Sequence, residues 1–223
     1  MSDPIDVLVV TGGHPFEADP FFVVFDALAG IRWTASNAPR IGHDVVVLYD
    51  MPGLTFTGDD PPVEFPEPTA DQKQVYADLT AAGTGLVVLH HAVASWPAWA
   101  GFAELVGARF HYRPGTLGDV DYPDSGYVFG VTHTVEVLDT EHPVCAGLGS
   151  SFDITDELYC FPVLEHSVTP LMRTTFDTAD ASQFFSADLA LRGHRNSNES
   201  WTHPPGSNLV AWTREIDASR LVY

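Results

Sequence analysis

Histidine is unusually frequent in this chain, and several histidines lie where a catalytic site would use them. The sequence has 10 His, as many as its Lys and Arg residues combined. One follows an apolar run and a diglycine, at Gly12-Gly13-His14, and two more, His90 and His91, follow another apolar run. Imidazole changes its charge between about pH 5 and 8, so these side chains can transfer protons or bind a metal ion. Acid, base and ligand groups therefore lie at the ends of two predicted strands.

Further candidate groups lie in the second half of the chain. They form three short stretches, FHYRP (110–114), EHP (141–143) and DELY (156–159). Imidazoles, carboxylates, a phenol and a guanidinium of this kind can build a sugar-binding site or a His/carboxylate metal site. Two local alternatives stay open, because Asp156 and Glu157 also suit the first turn of a helix and His142-Pro143 also suits the start of a turn. No HExxH pattern occurs.

The nucleophile of a related catalytic arrangement is missing. His90 occupies the strand-to-helix elbow where α/β hydrolases and class I amidotransferases carry Ser or Cys. Ser95 is expected at the N-cap of the next helix, and Cys145 and Cys160 are expected to be buried thiols. The elbow histidine must then act as an acid or base, as a metal ligand, or as a structural residue.

Alternating strands and helices are expected to position these groups. Apolar runs predict buried strands at 5–10, 44–49 and 85–90, and helices are predicted at 20–29, 69–82 and 96–106, the last ending at Gly107. Shorter strands follow at 133–138 and 207–213. The order predicts an open, mostly parallel α/β sheet with helices on both faces. In such a sheet the residues after each strand meet at one edge, where ligands bind.

Composition and charge limit the classes of partner. A chain of 223 residues that is 45% hydrophobic predicts one domain over residues 1–223. The net charge of −20, with Lys73 as the one lysine, predicts neither nucleic acid nor an anionic membrane as a partner. No apolar stretch reaches the ~20 residues of a membrane span, which favours a cytoplasmic location. Because the end at 221–223 is apolar and resembles a strand, a further C-terminal segment is an open expectation.

These motifs resemble the ThuA-like family of trehalose-utilisation proteins. The resemblance is carried by VVTGGHPF (9–16), GLVVLHHA (85–92), FAELVGARFHYRPG (102–115), HTVEVLDTEHPVCAGL (133–148) and FDITDELY (152–159). It implies a flavodoxin-like sheet related to class I glutamine amidotransferases, without their nucleophile. It also implies a pocket formed by His14, His90, His111, His142, Asp156, Glu157 and Tyr159. His91 departs from members that have a small residue at that position, so it receives no role.

The resemblance links the chain to trehalose and related glycosides, processed through 3-keto intermediates. It implies a hydrolase, lyase or isomerase that acts on a keto-sugar glycoside by acid/base or metal-assisted chemistry. We expect His90 or Glu157 as the base and His14 or His111 as the acid, with a divalent metal ion as the one cofactor considered. The expected substrate-binding residues are Gly13, Tyr112, Arg113, His142, Asp156, Tyr159, Trp201 and His203.

A different class of function stays open beside the enzyme. A non-catalytic sugar-binding or sensing protein would explain the missing nucleophile without a new mechanism, whereas a glutaminase would need one. In either class the expected partner is a small carbohydrate. A homodimer is expected because symmetric dimers are the commonest oligomers of soluble proteins. The 3-keto intermediates also imply a functional link to a sugar dehydrogenase.

Overall fold

The computed structural model describes residues 3–60 and 62–223, which form two compact units. The first unit contains residues 3–54, 65–98 and 215–223, and the second contains residues 55–60, 62–64 and 99–214. No helix of the described residues is long and apolar enough to cross a membrane.

Short strands outnumber helices in both units. The helices are α1 (Ala18–Asp26), α2 (Ala70–Ala82), α3 (Ala100–Val106) and α4 (Ala187–Leu191). The strands are β1 (Ile5–Gly12), β2 (Ile31–Ser36), β3 (Val45–Asp50), β4 (Thr55–Phe56), β5 (Val63–Glu64), β6 (Gly85–Val88), β7 (Gly115–Leu117), β8 (Val120–Tyr122), β9 (Gly126–Val137), β10 (Ser151–Cys160), β11 (Thr169–Thr174), β12 (Phe185–Ser186), β13 (Leu209–Ile216) and β14 (Ser219–Val222).

Parallel strands build the first unit. Their order is β14-β6-β3-β1-β2, and every neighbouring pair is parallel. The central strands are continuous apolar runs because both faces of a parallel sheet are buried. Phe25 of α1 packs against Val7, Val9 and Val47 of this sheet. The α/β class and the parallel sheet predicted from the sequence are confirmed.

Antiparallel strands build most of the second unit. Strands β10, β9, β11 and β13 are neighbours in that order, and β12 also pairs with β9. Strands β7 and β8 form a separate hairpin. Small buried clusters stabilise these strands, one of them containing Leu158, Cys160 and Phe184.

Capping residues set the helix ends that the sequence predicted best. Thr69 and Gln72 form a capping box at the start of α2, in which each side chain accepts a hydrogen bond from the backbone N–H of the other residue. Gly83 and Gly107 end α2 and α3 in the left-handed conformation. The predicted Thr N-cap and the predicted stop at Gly107 are confirmed.

The region after β6 differs from its prediction. The strand ends at Val88 rather than at residue 90, and a short 3-10 helix covers His90–Ala94. Ser95 does not cap a helix, because its hydroxyl donates to the Asp50 carbonyl at 2.9 Å. The helix predicted from residue 96 starts at Ala100, after Trp99 as N-cap.

The two open local alternatives are also resolved. Asp156 and Glu157 lie in β10 at a register shift against β9, not in the first turn of a helix. His142 starts a 3-10 turn, and its Nδ1 accepts a hydrogen bond from the Val144 amide.

Candidate functional site

Three turns meet at the carboxyl ends of β1, β3 and β6 in the first unit. The Met51 amide donates to the Gly12 carbonyl at 2.9 Å, and Ser95 donates to the Asp50 carbonyl. Gly13 has φ +74°, and a Cβ there would lie 2.4 Å from the Met51 oxygen. The close approach of two backbones therefore requires glycine at position 13. This edge is where an α/β sheet binds ligands.

His90 has the backbone conformation of an elbow residue. Its φ of +48° is in the left-handed region, which side chains with a Cβ rarely adopt. The ring is partly exposed, and the Tyr223 hydroxyl donates to the His90 carbonyl at 3.4 Å. Strained residues of this kind concentrate at active sites. The strain supports a functional role for the position where the nucleophile of related folds lies.

His91 is the centre of a ring cluster. Its imidazole stacks on His14 with ring centroids 4.3 Å apart, and Tyr49 lies against it at the same distance. The Nε2–H donates to the Tyr49 carbonyl at 3.3 Å. Burial and the neighbouring His14 and His90 lower the pKa of His91 to about 4, so the ring is neutral at pH 7. His91 thus contacts His14, one of the two candidate acids, and His90, one of the two candidate bases.

Asp50, the residue directly after the predicted strand at 44–49, is a buried carboxyl at the same edge, and no role was predicted for it. It is the last residue of β3 and only 5% exposed. Burial raises its pKa to about 7. Burial, and secondarily the charge of Asp50, raise the pKa of Tyr76, whose hydroxyl accepts a hydrogen bond from the Trp96 indole at 3.2 Å. The position after the strand was visible in the sequence, but nothing there marked its burial.

Replacing Asp50 with asparagine should change how stability depends on pH. The unfolded chain ionises this carboxyl near pH 4, whereas the folded protein keeps its proton up to about pH 7. The folded state binds more protons in that window, so the carboxyl's contribution to stability falls as pH rises through it. We expect the free energy of unfolding of Asp50→Asn, relative to that of the wild type, to rise by up to about 4 kcal/mol between pH 4 and pH 7. Urea unfolding at several pH values measures the difference, and a constant difference would contradict the burial argument.

In the second unit the structure brings two of the predicted histidines close together. His111 is 4% exposed and His203 is 8% exposed, and the charge of His203 affects the pKa of His111. Burial is the main cause that lowers the pKa of His111, to about 4, and that of His203. Tyr122 lies against both rings, and Trp201 stacks on His203 with centroids 5.7 Å apart.

A second group of predicted residues forms around Glu157. The Tyr159 hydroxyl donates to the Glu157 carboxylate at 2.9 Å. Phe110 packs edge-on against both Tyr112 and Tyr159. Burial and the charge of Glu157 raise the pKa of Tyr112. Three predicted residues, Tyr112, Glu157 and Tyr159, are thus in one cluster.

Other predicted residues make structural contacts. Arg113 donates to the Val63 carbonyl at 2.9 Å, and its Nε lies 3.9 Å from the Asp188 carboxylate. The Asp156 carboxylate accepts from the Glu157 amide in the exposed part of β10. The Trp201 indole donates to the Asp124 carbonyl at 3.0 Å. Their predicted roles in substrate binding, like that of His142, stay predictions.

The thiols and the metal-binding groups restrict the chemistry further. Cys145 and Cys160 are free and buried, as predicted, and burial raises the pKa of both. Neither is suited to act as a nucleophile, because the thiolate is the reactive form. Within residues 3–60 and 62–223, no three His, Cys, Asp or Glu side chains are grouped as metal ligands. The divalent metal ion that was considered as a cofactor stays a prediction.

A comparison with protein families decides the relationship. The family model ThuA, described as trehalose utilisation, matches residues 26–223. The chain belongs to the ThuA family. The match confirms the resemblance that the motifs indicated. No curated protein sequence matches the chain.

Solved structures related to this ThuA family member share its fold. A ThuA-like protein from Parabacteroides merdae ATCC 43184 matches 98% of this chain and 78% of its own with a TM-score of 0.63 and 16% identity. A ThuA-like protein from Bacteroides uniformis ATCC 8492 matches 100% of this chain and 82% of its own, with a TM-score of 0.61 and 15% identity. A cytoplasmic protein from Salmonella typhimurium LT2 matches 98% of this chain and 86% of its own, with a TM-score of 0.52 and 12% identity. Likeness at this level of identity concerns the fold alone.

Proposed function

We propose that this ThuA protein processes a keto-sugar glycoside by acid/base catalysis, with His90 as the base. The observation that supports it most is the left-handed conformation of His90 after a buried parallel strand. Such a conformation costs about 1–3 kcal/mol and persists where the surrounding structure imposes it, often at active sites. The family's description, trehalose utilisation, supports the substrate class.

The reaction balances without an oxidant or a cofactor. A 3-keto group acidifies the neighbouring C2–H, and the base removes that proton. The electron pair forms a C1–C2 double bond while the C1–O bond to the leaving sugar breaks. The acid then protonates the leaving oxygen. A positioned acid or base contributes about 10²- to 10⁴-fold to such a reaction.

His14 is the acid that we assign to the leaving oxygen. Its ring is exposed and stacks on His91, whose neutral imidazole also lies beside His90. His111 stays the alternative acid, but a neutral ring with a pKa of about 4 is poorly suited to deliver a proton at pH 7. Glu157 stays the alternative base.

Turnover of 3-keto-trehalose by the purified protein tests the proposal. We expect product from the wild type and none above background from a double variant, His90→Ala with Glu157→Ala. Turnover that survives the double substitution would overturn the assignment. Sugar binding without product after long incubation would instead favour the alternative, a sugar-binding or sensing protein.

The proposal also predicts the protein's place among other reactions. Its substrate must be made by oxidation of a sugar hydroxyl at C3, so a sugar dehydrogenase is the class of enzyme that would supply it. A cytoplasmic location is proposed with it, in line with the name of the Salmonella neighbour. A homodimer stays an expectation.

A further inference from the structure

Two buried imidazoles of the second unit have hydrogen-bonding atoms that no protein group uses. His111 and His203 are each more than nine-tenths buried, at 4% and 8% exposure. The Nε2 atom of each has no hydrogen-bond partner among the residues that the structure describes. An unsatisfied buried polar atom costs about 1–3 kcal/mol. Native proteins rarely leave such atoms unless a water molecule or a ligand binds them.

We propose that His111 and His203 bind hydroxyl groups of a sugar or a similar polyol through their Nε2 atoms. The two residues come from distant parts of the sequence, yet both lie in the second unit. The choice of a sugar, rather than another hydroxyl-bearing molecule, rests on the proposed function. The site itself is independent of His90 and His14, which belong to the first unit.

The tautomer of His203 determines which partner its Nε2 can take. Its Nδ1 lies 2.6 Å from the Pro204 carbonyl, so Nδ1 carries the proton and donates it in a hydrogen bond. The Cys160 sulfur lies 3.4 Å from the same nitrogen. Nε2 therefore has a lone pair and accepts a hydrogen bond. A hydroxyl group is a suitable donor to this atom.

The charges around the two rings favour a neutral ligand over an anion. Burial, Arg109 and His203 lower the pKa of His111 to about 4, and burial also lowers the pKa of His203. Both rings are thus neutral at pH 7, so neither imidazole offers a positive charge to a phosphate or carboxylate. The two charged groups that affect them have opposite signs, Arg109 acting on His111 and Asp124 on His203. A neutral imidazole forms a hydrogen bond with an uncharged hydroxyl group without either charge.

Tyr122 covers the two imidazoles and gives the site a route of access. Its ring lies 6.1 Å from that of His111 and 6.4 Å from that of His203, within 23° of parallel to each. Among the described residues, the hydrogen bonds of β7 and β8 stay within their hairpin, as between Thr116 and Asp121. Tyr122 can therefore swing aside without breaking a hydrogen bond. Its aromatic face, with that of Trp201, can then pack on sugar C–H groups.

Carbethoxylation of histidines with diethyl pyrocarbonate, mapped by mass spectrometry, tests the site in the wild-type protein. The probes are trehalose and 3-keto-trehalose, and exposed His166 is the internal control. We expect either sugar to slow modification of His111 and His203 about tenfold and to leave His166 unchanged. We expect Tyr122→Ala to speed modification of both residues when no sugar is present.

Calorimetry on His203 variants adds a second readout. His203→Leu removes the acceptor and should raise the dissociation constant for the sugar about tenfold, the weight of one hydrogen bond. His203→Gln places an amide oxygen near the position of Nε2 and should restore most of the affinity. A structural role for His203 would not predict rescue by glutamine.

The outcomes separate this site from the proposed function. Protection by sugar without turnover of 3-keto-trehalose would support the site and overturn the function. Turnover with His111 and His203 unprotected would support the function and overturn the site, leaving a buried water molecule as the partner of the two nitrogens. Equal affinity of His203→Leu and the wild type would also overturn the site.

Discussion

Asparagine in place of His90 is expected to lower kcat/KM for 3-keto-trehalose about 10²- to 10⁴-fold and to leave the melting temperature nearly unchanged. Asparagine tolerates the left-handed conformation that His90 adopts, at φ +48°, but it has no titratable ring. The variant therefore removes the proposed base without a change in backbone strain. Steady-state kinetics and thermal unfolding of the same preparations measure both effects. Turnover within about threefold of the wild type would locate the base elsewhere.

Glycine at the same position separates function from stability. His90→Gly removes the Cβ from a residue in the left-handed backbone conformation. This relieves a strain of about 1–2 kcal/mol and should therefore raise the free energy of unfolding. It should also abolish turnover, because the imidazole is gone. Ser200, exposed and with φ +59°, is the matched control. Ser200→Gly should gain a similar stability while turnover stays at the wild-type rate. A loss of stability in His90→Gly would show that the imidazole is needed for folding.

Alanine at Gly13 is expected to destabilise the first unit by about 2–5 kcal/mol. The new Cβ would lie 2.4 Å from the Met51 oxygen, a backbone atom that cannot rotate away, in a residue with φ +74°. The turns after β1 and β3 would have to separate, and with them the edge that presents His14. Urea unfolding measures the loss.

Gly30 provides the control for the backbone part of this effect. It also has a positive φ, +86°, but nothing lies within 4 Å of a Cβ built there. Gly30→Ala should therefore cost only the conformational strain, about 1 kcal/mol. The difference in the free energy of unfolding between Gly13→Ala and Gly30→Ala measures the cost of the clash with the Met51 backbone. Equal losses would mean that the two turns move apart freely.

The sequence predicted those elements whose local pattern matched their burial. Strands β1, β3 and β6 are continuous apolar runs, so their position and direction followed from composition. Strand β2 was missed because Arg32, Thr34 and Ser36 interrupt its apolar residues in an edge strand. Strand β10 was ambiguous because its first half is exposed and acidic. Pairing with β9, rather than any local preference, determines its structure.

In the first unit, the candidate site was predictable where a strand end marked it. His14 and His90 follow apolar strands, and their position was read directly from the sequence. The neutral state of His91 and the high pKa of Asp50 come from burial among turns that are distant in sequence, which no local pattern encodes. The same holds for the burial of His111 and His203, whose rings both lie against Tyr122 only in the folded second unit.

The last strand of the first unit affects how the chain folds as it is made. Strand β14 is the parallel partner of β6, and Ser219 hydrogen-bonds to the Thr84 carbonyl across 135 residues of sequence. At about 5–20 residues per second, a ribosome needs roughly ten seconds to make the intervening chain. During that time one edge of the apolar β6 lacks its neighbour, and such an edge can pair with another nascent chain. Chaperones that cover this edge until β14 has been made are therefore expected to raise the yield of folded protein.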